Sequence, residues 1–295
     1  MSELNWTQHG YITVQDQHTW YGSIGTPDPT TIPLLVISGG PGLPHDGYEP
    51  LASFAENGRQ IIFYDQLGCG NSDRPTDRTV YTAQVFVEEV IALRHALGLE
   101  RVHVYAHSYG GVIALNYALT QPHGLASLIL ADTFPSVPAL VRGWYTLLAT
   151  MPPEVHAVIQ AYQENGTPDP RYADYFQTYF VNRYVNRVPV TDSFNRMFQK
   201  MGTEVYEVMH GPAWFKATGK YGTWDVTDRL HEITVPTLVF CGRDDQCIPD
   251  LSATLHHGIP HARLHIFEQC AHLPYLEQPE EHQRLVETFL AAVEA

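Results

Sequence analysis

Short apolar runs recur along the chain, separated by longer stretches with helical spacing. The runs are Leu34-Leu35-Val36-Ile37, Ile61-Ile62-Phe63-Tyr64, Val102-His103-Val104-Tyr105, Leu128-Ile129-Leu130, Thr237-Leu238-Val239-Phe240 and Leu264-His265-Ile266-Phe267. Near-continuous apolar runs of this length suit parallel strands covered on both faces. Residues 82–97 carry Val85, Phe86, Val90, Ile91 and Leu97 as one helical stripe, and 280–293 carry Leu285, Val286, Phe289 and Leu290. Ahead of them, residues 10–25 read as a hairpin, with Tyr11-Ile12-Thr13-Val14 and Thr19-Trp20-Tyr21-Gly22-Ser23 flanking a polar turn at Asp16-Gln17. Strands alternating with helices predict an α/β fold built on a mostly parallel, doubly wound sheet with helices on both faces. The alternation breaks between about Pro135 and Leu230, where helical patches at 139–148, 154–164, 172–184 and 191–200 are rich in aromatics. We expect a helical insertion there, lying over the C-terminal strand edges where such sheets bind ligands. The expected division is core 1–134, cap 135–230 and core 231–295.

One junction carries chemistry. The run 102–105 leads into Ala106-His107-Ser108-Tyr109-Gly110-Gly111, and Val112-Ile113-Ala114-Leu115 continues as helix. A strand, a sharp small-x-Ser-x-Gly turn and a helix make a nucleophile elbow, which leaves the serine hydroxyl free at the top of a sheet. Ala106 and Gly110 are small because backbone from both arms crowds there. In such a fold the acid and the histidine follow the serine in chain order. Asp245 lies in the loop after 237–240, with Asp244 as the alternative, and His272 lies in the loop after 264–267. Ser108 is then the nucleophile, His272 the general base and Asp245 its orienting acid. Negative charge developing on the substrate oxygen needs preorganised N–H donors. Tyr109, directly after the serine, and Gly40, in the glycine-rich loop Ser38-Gly39-Gly40-Pro41-Gly42, are the candidates, and Gly39 is expected to face the substrate.

Composition narrows the partners. Against 32 Asp+Glu stand 17 Lys+Arg, a formal charge of −15. Nucleic acid and anionic membrane surfaces both need basic patches, so neither is expected as a partner. No apolar run approaches the ~18 residues of a membrane span, and residues 1–6 have neither a basic nor an apolar leader segment. A cytoplasmic enzyme for a small-molecule substrate is the expectation. The four cysteines lack zinc spacing and are expected to be reduced thiols. His256, His257, His261 and His265 are expected on a solvated surface, because Pro260 interrupts their helical spacing.

The loop 38–42, the run Tyr64-Asp65-Gln66-Leu67-Gly68-Cys69-Gly70-Asn71-Ser72 and the elbow together resemble the proline iminopeptidase family of α/β-hydrolases. Within it the chain is most similar to tricorn-interacting aminopeptidases and L-amino acid amidases. Met209-His210-Gly211-Pro212-Ala213-Trp214-Phe215 and Trp224-Asp225-Val226-Thr227-Asp228 extend the likeness into the insertion. The resemblance implies a helical cap over a serine triad, no cofactor, and release of an N-terminal residue from a short peptide or amide. Three positions depart from it. Ser38 stands where the family loop begins with His. Trp214 and Gln246 stand where the family carries glutamates that bind the substrate's free α-ammonium. An indole and a neutral amide discriminate far less for a cation than two carboxylates do. Either another cap acid (Glu204, Glu207 or Glu154) takes over, or the demand for a free amine is relaxed. In the second case Trp214, Phe215, Trp144 and Tyr145 are expected to line an apolar acyl site beside Gln246. An esterase, lactonase or acyltransferase is the alternative within enzymes, since all share an acyl-enzyme. A non-catalytic ligand receptor on the same fold is the third reading.

Overall fold

The computed structural model describes residues 4–295. Met1, Ser2 and Glu3, part of the segment in which no leader is expected, lie outside the described residues. Eight strands form one sheet in the order β1-β2-β4-β3-β5-β6-β7-β8. They are β1 (Gln8–Val14), β2 (Gln17–Ile24), β3 (Leu34–Ile37), β4 (Ile61–Tyr64), β5 (Val102–His107), β6 (Leu125–Ala131), β7 (Thr237–Gly242) and β8 (Arg263–Phe267). The β1–β2 and β2–β4 joins are antiparallel and all others parallel. The hairpin turn is Gln15-Asp16, both left-handed (φ 46° and 64°), as the twist of a two-residue hairpin demands.

Each expected apolar run is a strand, and side chains alternate across the sheet. Leu35, Ile37, Val104, Ala106, Leu128 and Leu130 enter the core on one face. They pack with α1 (Ala83–Ala96) and α2 (Gly110–Ala118). Leu34, Val36, Tyr105, Ile129, Leu238 and Phe240 enter the core on the other. There Tyr48, Leu51 and Phe54 from the tight helical turns of His45–Asn57 meet Val286, Phe289 and Leu290. Because helices cover both faces, every residue of β3, β4, β5 and β7 is buried. That is why these strands read as uninterrupted apolar runs.

The chain leaves β3 toward β4 on one side and resumes at β5 on the other. The winding therefore reverses between β3 and β5, which opens a crevice at their C-terminal ends. Between β6 and β7 come α3 (Val137–Leu148), α4 (Pro153–Asn165), α5 (Tyr172–Tyr175), α6 (Asp192–Gln199) and α7 (Thr203–Met209). Ser136 and Thr191 cap α3 and α6 by accepting from Ala139 N (3.3 Å) and Phe194 N (3.2 Å). The stretch expected as one helix at 172–184 departs from α-geometry after Tyr175 and continues as a π-helix through Phe176–Val185. The wider turn keeps Phe176 and Phe180 on one seam, where both meet Trp214 and Phe215. After β7 come α8 (Pro249–Gly258), α9 (Pro274–Glu277) and α10 (Pro279–Glu294). No described helix is long and apolar enough to cross a membrane.

The start of α2 lies directly on β3. A Cβ on Gly110 would sit 2.4 Å from the Ile37 carbonyl oxygen. Gly110→Ala should therefore force backbone apart and cost about 1–3 kcal/mol or more, read as a lower urea midpoint with an unchanged slope.

Candidate active site

Ser108 occupies the two-residue turn between β5 and α2 with φ 53°. A left-handed non-glycine residue costs about 1–2 kcal/mol, so the surroundings must hold it. Ser108 N donates to Ala131 O at 3.0 Å, and Thr133 Oγ1 donates to Ser108 O at 2.6 Å. Glycines let the other segments close in. A Cβ on Gly111 would meet Thr133 Oγ1 at 2.0 Å, and one on Gly39 would meet Ser108 Cβ at 3.0 Å.

The loop after β3 passes beside the serine. Among the described residues, the backbone N–H groups of Gly40 and Tyr109 donate to no protein group. Gly39 N–H differs, because it donates to the Tyr48 hydroxyl at 2.8 Å. The loop is anchored by the run 64–72. Gln66 Nε2 donates to Ser38 O at 2.7 Å. Buried Asp65 accepts from His45 N and His45 Nδ1, both at 2.8 Å, and from Asn71 N at 2.8 Å. A side chain on Gly70 would run into the Asp65 carboxylate, 2.2 Å from its Oδ2. The motif that carries the family resemblance is thus a brace for the glycine-rich loop. Ser38 joins the brace through its carbonyl oxygen.

His272 Nδ1 and Asp245 Oδ1 are 2.6 Å apart, and both side chains are buried. The carboxylate can only accept, so Nδ1 carries the proton and Nε2 is left with a lone pair. Cys247 N donates to the same Asp245 oxygen at 2.8 Å. The competing acid, Asp244, points outward into an ion pair with Arg187 at 2.7 Å. Behind the histidine runs a buried hydrogen-bond chain. Tyr48 Oη lies 2.8 Å from His107 Nδ1, and His107 Nε2 lies 2.9 Å from His272 O. Its direction is forced, because Gly39 N–H only donates and the His272 carbonyl only accepts. Tyr48 therefore donates to Nδ1, and His107 carries its proton on Nε2. Burial, with His272 adjacent, pushes His107 well below its ordinary value and keeps it neutral.

A cavity of about 430 Å³ opens over these groups. Ser108, Gly39, Gly40, Tyr109 and His272 line its floor, and Trp144, Trp214 and Gln246 its sides. Phe215 and Tyr145, expected on the wall, stand behind it. Phe215 stacks on Trp144 at 5.9 Å, and Tyr145 packs on Phe215 with its hydroxyl directed to Glu164. Their large rings fill the insertion's own core, leaving Trp144 to face the cavity. Among the described residues, no Asp or Glu lines the cavity. Glu154, Glu204 and Glu207 are all exposed, and Glu207 pairs with Arg78 at 3.2 Å. Trp214 Nε1 donates to Gln246 Oε1 at 3.2 Å, so the two positions where the family carries glutamates satisfy each other.

Among the described residues, two clusters have the spacing of metal ligands. Asp245, Cys247 and His272 form one, but the acid and imidazole are already bonded and burial holds the Cys247 thiol neutral. His45, Asp46 and Glu49 form the other, where Arg196 and Lys200 already neutralise the acids at 2.5–3.2 Å. Tyr48 and His107 were not singled out as site residues from sequence. His107 carries a signal in its place beside the serine, whereas Tyr48 carries none.

The sequence pattern of the alpha/beta hydrolase fold matches residues 32–279. A proline iminopeptidase of Heyndrickxia coagulans is 35% identical over 88% of this chain and 91% of its own. The crystal structure of a proline iminopeptidase from Mycobacterium smegmatis superposes with a TM-score of 0.91 at 34% identity, covering 97% of this chain and 99% of that one. The structure of VinJ superposes with a TM-score of 0.92 at 28% identity over 98% and 99% of the two chains. Fold and site together place the molecule among the α/β-hydrolases. Within them, the chain belongs to the proline iminopeptidase family, and it is a hydrolase.

Tyr48→Phe removes both the acceptor for Gly39 N–H and the donor to His107. Leaving those buried groups unpaired should lower kcat about tenfold to a hundredfold, measured at saturating substrate. The His45–Asp65 pair sets a second expectation. Burial would lower His45, but Asp65 outweighs it and raises the imidazole; burial would raise Asp65, but His45 and its N–H donors outweigh it and lower the carboxyl. The raised imidazole stabilises the fold below about pH 6.5 and loses that contribution as pH climbs through its folded value. The lowered carboxyl stabilises above about pH 4 and loses its share as pH falls through its folded value. The stability lost in His45→Phe should therefore be largest between about pH 4 and 6.5, read from urea unfolding across pH.

Proposed function

We propose that the protein is a serine hydrolase that cleaves small amide or peptide substrates through an acyl-enzyme, with little demand for a free substrate amine. The observation that carries the chemistry is the buried 2.6 Å His272–Asp245 bond at the floor of the cavity that Ser108 lines. Ser108 Oγ attacks the carbonyl carbon and passes its proton to Nε2 of His272. The oxygen that gains the charge takes the N–H groups of Gly40 and Tyr109. Collapse expels the amine, which leaves with the proton from His272. Water then attacks acyl-Ser108 by the same route and frees the acid. The segment 135–230 serves as the cap that keeps bulk water from the acyl-enzyme. Four buried free thiols fit work in the reducing cytoplasm.

Substrate choice follows from the walls. The relatives' name implies an N-terminal residue with its amine free. Here the cavity wall holds no carboxylate among the described residues, and Trp214 and Gln246 are bonded to each other. A desolvated ammonium without a counter-charge costs several kcal/mol, so a free amine gains nothing from binding here. The apolar wall also favours a second reading, an esterase, lactonase or acyltransferase for apolar acyl groups, because the acyl-enzyme is common to all.

The test compares kcat/KM for one amino acid arylamide with its amine free and acetylated, with Ser108→Ala as blank. We expect the two rates to lie within about tenfold, or the blocked substrate to be faster, and turnover to vanish in the blank. A preference of about a hundredfold for the free amine, roughly 2.7 kcal/mol, would sink the relaxed-amine reading. Trp214→Glu with Gln246→Glu should move the preference toward the free amine.

A further inference from the structure

Asp132 follows β6 on the same sheet edge as Ser108, and no step above uses it. It is fully buried and left-handed, with φ 51°. Its conformation is held from two sides by β7, because its N–H donates to Phe240 O at 2.8 Å and its Oδ1 accepts from Gly242 N at 3.2 Å. Its other oxygen, Oδ2, is buried and accepts no hydrogen bond. The same is true of Asp245, whose Oδ1 takes both His272 Nδ1 and Cys247 N while Oδ2 is buried without a donor. The two acids flank Gly242, whose N–H donates to Asp132 Oδ1 at 3.2 Å and whose carbonyl accepts from Asp245 N at 3.3 Å, and their carboxyls interact directly.

Two carboxylates can only accept, so such a contact is repulsive unless one of them holds a proton. Nothing else relieves it. Neither acid has a Lys or Arg partner among the described residues. His107 Nε2 lies 3.9 Å from Asp132 Oδ2, but its hydrogen is committed to His272 O at 2.9 Å. The remaining neighbours are Glu277, the thiols of Cys241, Cys247 and Cys270, and the phenols of Tyr48, Tyr105 and Tyr275. All are acids or neutral at working pH, and none brings a positive charge. Of the two carboxyls, Asp245 has two good donors and Asp132 one long one, so the proton belongs on Asp132. Burial, reinforced by the neighbouring Asp245, pushes Asp132 well above the usual carboxylate range.

We propose that Asp132 is a positioning residue of the triad, a neutral carboxylic acid whose O–H donates to Oδ2 of Asp245 and holds that carboxylate on His272. The proposal rests on the triad reading of Ser108, His272 and Asp245. It gives the site one negative charge rather than two beneath the imidazole. It also fixes the Asp245 rotamer through both oxygens, Oδ1 on the histidine and Oδ2 on Asp132.

The test measures kcat/KM against pH for the wild type, Asp132→Asn and Asp132→Ala. Asparagine keeps a side-chain N–H donor, and alanine keeps none. We expect Asp132→Ala to lose about tenfold to a hundredfold in kcat and to move its acid limb to higher pH, because the unshared charge of Asp245 then falls on the imidazolium. Asp132→Asn should recover most of that rate, with the acid limb at its wild-type position. An acid limb that moves to lower pH in Asp132→Asn would show that a second negative charge had been removed, and would overturn the proposal. So would an Asp132→Ala enzyme with wild-type kcat and acid limb. An infrared difference spectrum of folded wild type minus Asp132→Asn at neutral pH gives a readout that needs no turnover. A carboxylic-acid C=O band is expected in the wild type, and its absence would refute a protonated Asp132. Persistent turnover in Ser108→Ala would instead bring down the triad reading and this proposal with it. Failure at Asp132 alone leaves the triad intact.

Discussion

Ser108 holds a backbone conformation that its side chain disfavours, at φ 53°. Everything near it is shaped by what holds it there. β6 supplies an acceptor for its N–H, and Thr133 supplies a donor for its carbonyl. β3 comes so close that a methyl on Gly110 would press on the Ile37 carbonyl oxygen. Gly39 then passes over the serine with no side chain between them. The glycines at these points are a consequence of close packing at the β3–β5 switch, where two loops diverge and leave room for a ligand. The Ser108 hydroxyl and the N–H groups of Gly40 and Tyr109, which donate to no protein group among the described residues, emerge from the same compression.

That geometry is transmitted by polar groups that have one way to pair. Gly39, Tyr48, His107 and the His272 carbonyl form a buried line in which every proton position is dictated by its ends. A protonated His107 would put an N–H against the Tyr48 hydroxyl and leave that hydroxyl's own proton without its acceptor, and burial disfavours the charge as well. The line joins the loop after β3 to the loop after β8 through the residue that precedes the nucleophile. A buried line of this kind is stiff only while complete, since each missing partner leaves an unpaired group in a dry place. Farther out, Gln66 secures the loop at Ser38 and Asp65 secures it at His45, both from the segment that follows β4. Arg196 and Lys200 tie α6 to Asp46, so the insertion is pinned to the helical turns that follow the glycine-rich loop.

Charge is distributed unevenly in this molecule. The chain carries a formal −15, yet among the described residues no acid lines the cavity over Ser108. Exposed Glu207 pairs with Arg78, half-buried Asp244 with Arg187, buried Asp46 with Arg196, and Asp245 and Asp132 lie underneath the site. The fold follows the family, and on the cavity wall Trp214 and Gln246 bond to each other. Function on a shared fold is set by such walls.

The sheet, the elbow and the order of Ser108, Asp245 and His272 were legible in the chain. Their signals are local, namely apolar runs of strand length, helical stripes, and small residues flanking a serine. The 3.6-residue stripe could not announce the π-helix after Tyr175, because it forms to seat Phe176 and Phe180 against Trp214 and Phe215, about 40 residues away. Asp245 and Asp244 are neighbours of equal chemistry, and only the direction of each side chain, set by β7 meeting β8, separates the acid under His272 from the one paired with Arg187. The same holds for Trp144 on the cavity wall and Phe215 behind it. Asp132 lies two residues past an apolar run and carries no local signal of its own. Its meeting with Asp245 joins residues 113 positions apart. Local pattern determined which elements form and which residue types sit at their ends; tertiary packing decided which of those side chains face one another, because facing is a property of distant backbones brought together and not of spacing along one.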